Sequence, residues 1–351
     1  MSAELALDFL LPGDPQTRTG GYIYDHRIMQ GLAALGWRVT VHSLDSSFPS
    51  PSLFALEDAR STLEKIPIGG IVVIDGLALG GMPDLLADQA GRLRLVALIH
   101  HPLACEKGLA PERRRALEHS EERALAAVDK VIVTSGWTME RLAGDGVPAE
   151  RVHVVMPGTD PAPLAHGSGG SSLNLLCVAT LTPRKGHAVL FDALSQLRDW
   201  SWHLYCVGSL QRDTTTATEL RAQIERLGLT GRVTLTGEVT EDALANHYAS
   251  ADLFVLASYL EGYGMALAEA LSRGLPLVST SAGAIPDTVT ADSAILVPEG
   301  DSGALANALA KTMDDPRVLR ALASGARIGR DNLPSWEQAS EQFAAALRSL
   351  W

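Results

Sequence analysis

The chain has little cysteine and no excess of positive charge, and each of these shortages excludes a class of protein. Its 351 residues include only 3 cysteines. This number is too small for a disulfide scaffold, and because it is odd, one thiol would stay unpaired. Cys105, Cys177 and Cys206 lack the spacing of metal ligands, and two of them lie in apolar runs. We therefore expect buried thiols in a reducing compartment. The net charge of -12 argues against nucleic acid as a partner, because phosphate-backbone binding needs a basic surface.

Long apolar segments are also missing. No stretch of about 18 uncharged apolar residues is present, so no transmembrane helix is predicted. The start of the chain has no basic region, and Pro12-Gly13 follows too early for a signal peptide. A hydrophobic content of 46% with 20% charged residues is typical of a globular protein long enough for two domains. We expect a cytoplasmic protein.

Twelve short apolar runs alternate with helical patterns along the chain. They are residues 5–11, 38–44, 71–75, 93–100, 130–134, 152–156, 173–179, 202–208, 232–237, 251–258, 275–280 and 294–298. Near-continuous apolar runs of this length are typical of strands buried on both faces of a parallel sheet. The alternation of strands and helices predicts an α/β protein with doubly wound parallel sheets.

A segment rich in Pro, Gly and Ser interrupts this alternation near the middle of the chain. Such a composition is typical of an interdomain linker. We predict a Rossmann-like N-terminal domain over residues 1–158, a linker over 159–172 and a Rossmann-like C-terminal domain over 173–334. The amphipathic segment 335–351 predicts a last helix that packs back on the first domain.

The sequence EGYGMALAE, directly after the run 251–258, is the most informative motif. It places Glu261 and Glu269 around Gly262 and Gly264. The strand delivers Glu261 to a loop, and the glycines allow the backbone to approach a ligand closely. The start of the next helix offers N–H groups and partial positive charge. Two acids around such a helix start suit a ligand that joins hydroxyls to phosphate, such as a nucleotide sugar. The alternative is a pair of first-turn acids on a surface helix.

A basic loop follows the first strand of the second half. Arg184 and Lys185 precede Gly186, and together they could neutralise a diphosphate, because Arg supplies a planar fork and Lys a mobile charge. The alternative is a solvated basic turn.

Two strand ends of the first half carry candidate ligand contacts. Gly20 and Gly21 at a helix start permit N–H contacts to phosphate, although such a pair can also be a simple turn. The loop lacks the spacing G-x-G-x-x-G, which argues against a nicotinamide enzyme. His100 or His101 could bond a sugar hydroxyl or the reacting group, or be structural. Because no further His or carboxylate stands at ligand spacing, we predict no metal site.

Other strand ends are weaker candidates. Gly208 and Val239 could lie near the nucleotide, and Gly283 could line the same site. Three arginines at 113–115 could contact an anionic membrane. Four glutamates surround them, which favours a solvated helix face instead.

The Glu-x7-Glu element with Gly-Tyr-Gly resembles the signature of the retaining GT-B glycosyltransferases of family 4, also called glycosyl transferases group 1. The paired glycines, the strand-end His100, the basic loop and the Gly283 loop follow in family order over most of the chain. The resemblance implies a GT-B fold, in which two Rossmann-like domains face each other across a cleft. It also implies that the first domain binds the acceptor and the second binds the donor.

The resemblance further implies the role of each site residue. Glu261 would contact the donor sugar, Glu269 the ribose, and Arg184 with Lys185 the diphosphate. Gly21 would approach a phosphate, His100 would face the sugar, and the backbone of Gly262, Tyr263, Gly264 and Met265 would line the donor site. Together with these, we predict donor contacts from Gly20, Thr180, Gly208 and Val239 from their positions in the sequence. The family usually has Gly-Arg-Leu where this chain has Ala179-Thr180-Leu181. Thr180 therefore replaces a phosphate-binding Arg, and we expect Arg184 to supply the lost charge.

These observations predict an enzyme without cofactor or metal that moves a hexose from a UDP- or GDP-sugar to an acceptor hydroxyl, with retention. The acceptor could be a small molecule, a lipid-linked glycan or a protein. A nucleotide-sugar epimerase of GT-B fold, a non-catalytic nucleotide-sugar-binding protein and a nicotinamide oxidoreductase are the alternatives.

Overall fold

The structure, a computed structural model, describes residues 5–350. Residues 1–4 of the predicted first domain and Trp351 of the predicted last helix lie outside the described residues. The chain divides into two compact units. The first unit comprises Met1–Gly158 and Pro334–Trp351, and the second unit comprises Thr159–Leu333.

Within the described residues, strands and helices alternate as the apolar runs predict. The strands are β1 (Ala6–Pro12), β2 (Arg38–Leu44), β3 (Ile71–Asp75), β4 (Arg94–Ile99), β5 (Lys130–Val133), β6 (Val152–Val154), β7 (Leu173–Val178), β8 (Trp202–Val207), β9 (Val233–Gly237), β10 (Leu253–Leu256), β11 (Leu277–Thr280) and β12 (Ala294–Val297). The helices are α1 (Gly20–Ala34), α2 (Leu53–Lys65), α3 (Gly76–Leu79), α4 (Pro83–Gln89), α5 (Pro111–Ala126), α6 (Gly136–Gly144), α7 (His187–Ser195), α8 (Thr214–Arg226), α9 (Glu241–Ser250), α10 (Met265–Ser272), α11 (Ile285–Thr288), α12 (Ser302–Asp314), α13 (Pro316–Gly329) and α14 (Trp336–Arg348).

Each unit contains one six-stranded parallel sheet, so the expected fold class is confirmed. The strand order is β2-β1-β3-β4-β5-β6 in the first unit and β12-β11-β10-β7-β8-β9 in the second. The second order is that of a Rossmann fold, whereas the first resembles the flavodoxin order. In both, the order reverses beside the first strand of the unit. Ligands of such sheets bind where the order reverses, beyond the carboxyl ends of the strands.

The segment 159–172 forms neither helix nor strand and follows the surface of the second unit. The backbone N–H of Ala165 donates to the carbonyl oxygen of Arg273 at 2.9 Å. Further along, the N–H groups of Ser168 and Asn174 donate to the two carboxylate oxygens of Asp252. The bonds of Ala165 and Ser168 satisfy backbone groups that the absence of regular structure leaves unpaired, and the bond of Asn174 connects the start of β7 to Asp252.

Helix α14 packs on α1 within the first unit. The contact is close, since a Cβ atom added at Gly31 would lie 1.8 Å from Ser340 Oγ. At the other end of α14, the Lys130 ammonium donates to the carbonyl oxygen of Ala346 at 2.9 Å. A cation at that end also interacts favourably with the helix dipole. Gly31 thus allows α1 to approach α14, and Lys130 of β5 binds the carboxyl end of the same helix.

We predict that Gly31→Ala destabilises the first unit, although alanine normally favours a helix. The new Cβ would overlap Ser340, and overpacking of this kind costs about 1–3 kcal/mol of unfolding free energy. Calorimetric unfolding of the full chain measures the effect.

The matched control is Gly144→Ala in α6, where an added Cβ meets nothing within 4 Å. Ser340→Gly removes the overlapping atoms and should restore stability when combined with Gly31→Ala. A Gly31→Ala protein as stable as the Gly144→Ala protein would contradict the close contact.

Candidate functional site

The basic loop and the Glu261 loop meet at the reversal of strand order in the second unit. The basic loop follows β7 and the Glu261 loop follows β10, and these two strands are neighbours in the sheet. Parallel strands end at the same edge, so side chains 76 residues apart come together there. Sequence spacing alone does not supply that neighbourhood.

Lys185 and Glu261 form a short ion pair. Lys185 Nζ lies 2.6 Å from Glu261 Oε1, and the Ser258 hydroxyl donates to the same oxygen at 2.6 Å. Glu261 is 6% exposed, so the pair is nearly removed from water. A buried charge requires partners of this kind.

Arg184 also faces the Glu261 loop. Its Nη1 donates to the carbonyl oxygen of Leu260 at 2.8 Å and lies 3.8 Å from Glu261 Oε2. The single turn Pro183–Lys185 brings both cations to one carboxylate. The expected grouping of Arg184, Lys185 and Glu261 is therefore present in the structure.

Close backbone approach explains two glycines around this group. Gly186 has φ +66°, and a Cβ there would lie 1.9 Å from the carbonyl oxygen of Ala257. Gly283 has φ +60°, and its Cβ would lie 2.3 Å from the carbonyl oxygen of Glu261. Each glycine lets a loop pack against the β10 end of the site, where a side chain would not fit.

The pKa values of Glu261 and Lys185 depend on burial and on the charge of the partner, and these two effects have opposite signs. Burial raises the pKa of Glu261, but the cations Lys185 and Arg184 and the hydrogen bonds outweigh it and hold the pKa below its usual value. Burial lowers the pKa of Lys185, and Arg184 adds to this, while Glu261 opposes both. We conclude that Glu261 is ionised at neutral pH.

Glu269 lies in α10, and its carboxylate has a different partner from that of Glu261. The Tyr248 hydroxyl donates to Glu269 Oε2 at 2.9 Å. Arg273 donates to the Glu269 carbonyl oxygen at 2.8 Å, and its guanidinium lies 4.3 Å from the centre of the Tyr248 ring. Burial raises the pKa of Glu269, against the hydrogen bond from Tyr248 and the charge of Arg273.

The other predicted donor contacts of the second unit lie in loops after its strands or at the start of α10. Gly208 packs against the Ala179–Thr180 backbone, where an added Cβ would lie 2.1 Å from the Ala179 carbonyl oxygen. The Tyr263 side chain is buried, so the backbone is the part of Tyr263 that could line a site. Val239 lies between β9 and α9 and packs partly on the core. Gly262 and Gly264 lead into α10, which begins at Met265.

In the first unit, the Gly20–Gly21 helix start lies beside His100. A Cβ added at Gly21 would lie 3.1 Å from His100 Cδ2. His100 Nε2 lies 3.0 Å from Asp25 Oδ1 and 3.5 Å from Asp75 Oδ2. The ring nitrogen Nδ1 is therefore the atom of His100 that could meet a ligand. His101 lies elsewhere, with Nε2 at 3.6 Å from Glu106 Oε2.

Two protein families match the chain. Residues 172–315 match the family described as glycosyl transferases group 1, and residues 55–158 match the family described as glycosyl transferase 4-like domain. The chain belongs to the family 4 glycosyltransferases. No helix of the described residues combines the length and the apolar character that a membrane crossing needs.

Two relatives of this chain are named as mannosyltransferases. The MMP alpha-(1->4)-mannosyltransferase of Mycolicibacterium hassiacum is 28% identical over 86% of this chain and 75% of its own length. A GDP-mannose-dependent alpha-(1-6)-phosphatidylinositol monomannoside mannosyltransferase of Mycobacterium tuberculosis is 28% identical over 90% of this chain and 84% of its own length.

The solved structure of a sucrose-phosphate synthase from Thermosynechococcus elongatus is similar over 99% of both chains. Its TM-score is 0.83 at 23% sequence identity, so it shows the fold. The expected GT-B fold of the glycosyltransferase is thereby confirmed.

The carboxylates around His100 are a feature that sequence spacing does not reveal. The expectation that no carboxylate accompanies His100 is wrong, because β3 and α1 bring Asp75 and Asp25 to it. Asp25 lies one helical turn after Gly21, and Asp75 ends an otherwise apolar strand; these were the available signals. One ligand atom from each of Asp25, Asp75 and His100 lies within 4.8 Å of the others. This group could hold a metal, and metal independence stays a prediction.

Asp75 and His100 both bind their protons more tightly than usual. Burial and the charge of Asp25 raise the pKa of Asp75 to about 7, against the effect of His100 and two backbone N–H groups. Burial lowers the pKa of His100, but Asp25 and Asp75 outweigh it and raise the pKa above its usual value. Asp75 and His100 therefore hold protons near neutral pH that they would release more readily in the unfolded chain.

We predict that this proton uptake makes the first unit less stable as pH rises. Asp75 ionises near 4 when unfolded and at about 7 when folded. The folded state therefore binds the extra proton, and its stability falls between about pH 4 and pH 7. His100 changes stability in the same direction. Its pKa is raised in the folded state, so the stabilisation from its protonated form is lost as pH rises. In Asp75→Asn, the fall of the unfolding temperature between about pH 4 and pH 7 should be smaller by several degrees than in the wild type.

Asparagine can still accept the Leu77 N–H bond that Asp75 now accepts at 2.9 Å, so the start of α3 is kept. Asp14→Asn in the same unit removes an exposed carboxylate and should leave the wild-type profile unchanged. Unfolding temperatures of wild type and Asp75→Asn that run parallel over this pH range would contradict the raised pKa of Asp75.

Proposed function

We propose that this glycosyltransferase moves a hexose from a nucleoside diphosphate sugar to an acceptor hydroxyl, with retention at the anomeric carbon. The observation that carries the proposal is the Lys185–Glu261 pair, with Arg184, at the edge of the second unit where strand order reverses. A polar donor with a diphosphate fits this combination of cations, carboxylate and helix start. The second unit would bind the donor and the first unit the acceptor.

GDP-mannose is the first donor to test. Of the two relatives described above, both are named as mannosyltransferases and one is named as GDP-mannose-dependent. UDP-glucose is the second, since the group of cations would bind any nucleoside diphosphate.

The charges of the site support a division of roles. Lys185 and Arg184 would hold the diphosphate, and the free N–H groups at the start of α10 would add to the positive potential. Glu261 would meet sugar hydroxyls and fix the position of Lys185. Glu269 would accept from the ribose hydroxyls.

The transfer itself would need no carboxylate nucleophile. The acceptor oxygen would attack the anomeric carbon from the face that the diphosphate leaves, and a leaving phosphate oxygen would take the acceptor proton. The protein would align the reactants and stabilise charge that grows on the diphosphate. In this proposal the chemistry uses neither a cofactor nor a metal.

A non-catalytic nucleotide-sugar-binding protein is the second candidate. The replacement of the usual phosphate-binding Arg by Thr180 is the observation that favours it. Such a protein would bind donor and release no nucleoside diphosphate.

We expect donor turnover to depend on the Lys185–Glu261 pair. Thermal-shift measurements with GDP-mannose and UDP-glucose identify the donor, because a ligand of the folded state raises the unfolding temperature. Nucleoside diphosphate release with an acceptor panel then measures turnover, and the anomeric configuration of the product tests retention. Lys185→Ala and Glu261→Gln should each lower turnover by about 100-fold or more, as loss of one charge-stabilising donor does elsewhere.

Lys311→Ala is the matched control, because Lys311 is an exposed lysine of the same unit. It should keep wild-type turnover. Near wild-type turnover in Lys185→Ala or Glu261→Gln would remove the assignment. Donor binding without any turnover in the wild type would favour the second candidate.

We expect Glu269→Ala to weaken nucleoside diphosphate binding more than it slows transfer. Loss of a hydrogen bond to a charged group costs about 1.5–3 kcal/mol, which corresponds to about a tenfold or larger rise in Kd. Calorimetry with GDP or UDP measures it. Tyr248→Phe removes the hydroxyl that contacts Glu269 but keeps the carboxylate, so its Kd should change less. Equal Kd values for Glu269→Ala and wild type would exclude the ribose role.

A further inference from the structure

Two cysteines and a histidine from three different elements of the second unit meet in its core. Cys177 of β7 and Cys206 of β8 are direct register partners on neighbouring parallel strands. His187 is the first residue of α7. All three side chains are at most 2% exposed. One ligand atom from each lies within 4.8 Å of the other two.

The spacing of these atoms is that of ligands around one small cation. Cys177 Sγ lies 3.7 Å from His187 Nε2. A zinc ion bonds sulfur at about 2.3 Å and nitrogen at about 2.0 Å. At trigonal or tetrahedral angles, those bond lengths separate the sulfur and nitrogen atoms by roughly 3.5–3.8 Å. The side chains therefore need little movement to share an ion.

His187 is a costly residue for an apolar core unless it binds something. Its Nδ1 is buried and has no hydrogen-bond partner within the described part of the chain. Because Nδ1 has no partner, the imidazole is costly to bury, and a bond from the other nitrogen, Nε2, to a cation would offset part of that cost. The His187 ring packs on Phe191, one turn later in the same helix, with ring centres 6.3 Å apart, and this contact requires an aromatic ring but no imidazole.

A bound cation would replace the protons of both thiols. The thiolate, and not the thiol, is the form that binds a metal.

We propose that Cys177, Cys206 and His187 form a binding site for a thiophilic d10 cation, Zn²⁺ or Cu⁺. The cation forms bonds to both sulfurs and to His187 Nε2, and any thiol protons still present leave to solvent. Two thiolates neutralise Zn²⁺, so the buried centre carries no net charge and its desolvation cost is small. Two thiolates and one imidazole also suit Cu⁺.

The site would join three elements of the second unit. Its histidine follows Lys185 and Gly186 directly, so a bound cation fixes the start of α7 to β7 and β8. This site stands on residues other than those of the proposed function, and it can fail or hold independently of transferase activity.

The test measures the metal content, the absorption spectrum and the unfolding temperature of the full chain. Because the site is buried, the protein is produced in medium supplemented with Zn²⁺, Cu⁺ under reducing conditions, or Cd²⁺ as a spectroscopic probe, and is then gel-filtered. We expect one metal per chain, with the metal retained identifying the preferred ion. The Cd²⁺ form should show a thiolate charge-transfer band with the intensity of two Cd–S bonds. The loaded protein should unfold about 5 °C or more above the chelator-treated protein.

Cys177→Ser and Cys206→Ser should lose the metal and the band. Cys105→Ser is the matched control, because this third thiol lies in the first unit, and it should keep both. If the core variants do not fold, the wild type and Cys105→Ser decide the matter alone. Less than one metal per chain, a band of one Cd–S bond, or an unchanged unfolding temperature would overturn the site.

Discussion

Burial of both sheet faces is the constraint on which the chemistry of this protein depends. The central strands β3, β5 and β10 are buried at every position, so their interiors have little room for solvated polar groups. Most of the polar side chains that form the two clusters, around Glu261 and around His100, stand at the carboxyl ends of the strands and in the loops that follow. Asp75 ends β3, His100 follows β4, and Glu261 follows β10. The strand order then decides which of these groups become neighbours, and that is how Lys185 meets Glu261 across 76 residues.

Stability alone does not explain the Lys185–Glu261 pair, whereas the proposed binding of a diphosphate would. Two charges removed from water lose hydration, and an apolar pair of similar volume is often as stable or more so. Here several groups offset that loss. Ser258 donates to Glu261, and the Arg184 guanidinium lies near its second oxygen. Glycine at 186 and 283 keeps the surrounding backbone close. A fold that needed only a core at this position would not require this set of polar partners.

Sequence alone predicts the fold of this chain well and its polar clusters poorly. The apolar runs coincide with the strands to within a few residues, because burial on both faces leaves a strong signal in each run. Glu261, Arg184 and Lys185 could be grouped because each follows such a run. Asp25, Asp75 and Ser258 could not be assigned, since their partners depend on strand order and on the facing of α1. The partnership of Cys177, His187 and Cys206 depends likewise on the register of β7 and β8. Periodicity within a segment carries no information about register between segments.

The replacement of the usual Arg by Thr180 can be weighed from charge and geometry together. Arg184, Lys185 and Glu261 sum to one positive charge, and the start of α10 adds partial positive charge next to them, with Gly264 and Glu261 close in space. A donor diphosphate that displaces Lys185 from Glu261 would meet two cations and would leave Glu261 to bond with sugar hydroxyls. Arg184 is held by the Leu260 carbonyl oxygen, so its charge stays at the β10 end of the site and does not move to the position of Thr180. The lost Arg is therefore compensated in total charge but not in place, and the diphosphate should sit nearer to the β10 loop than to the end of β7.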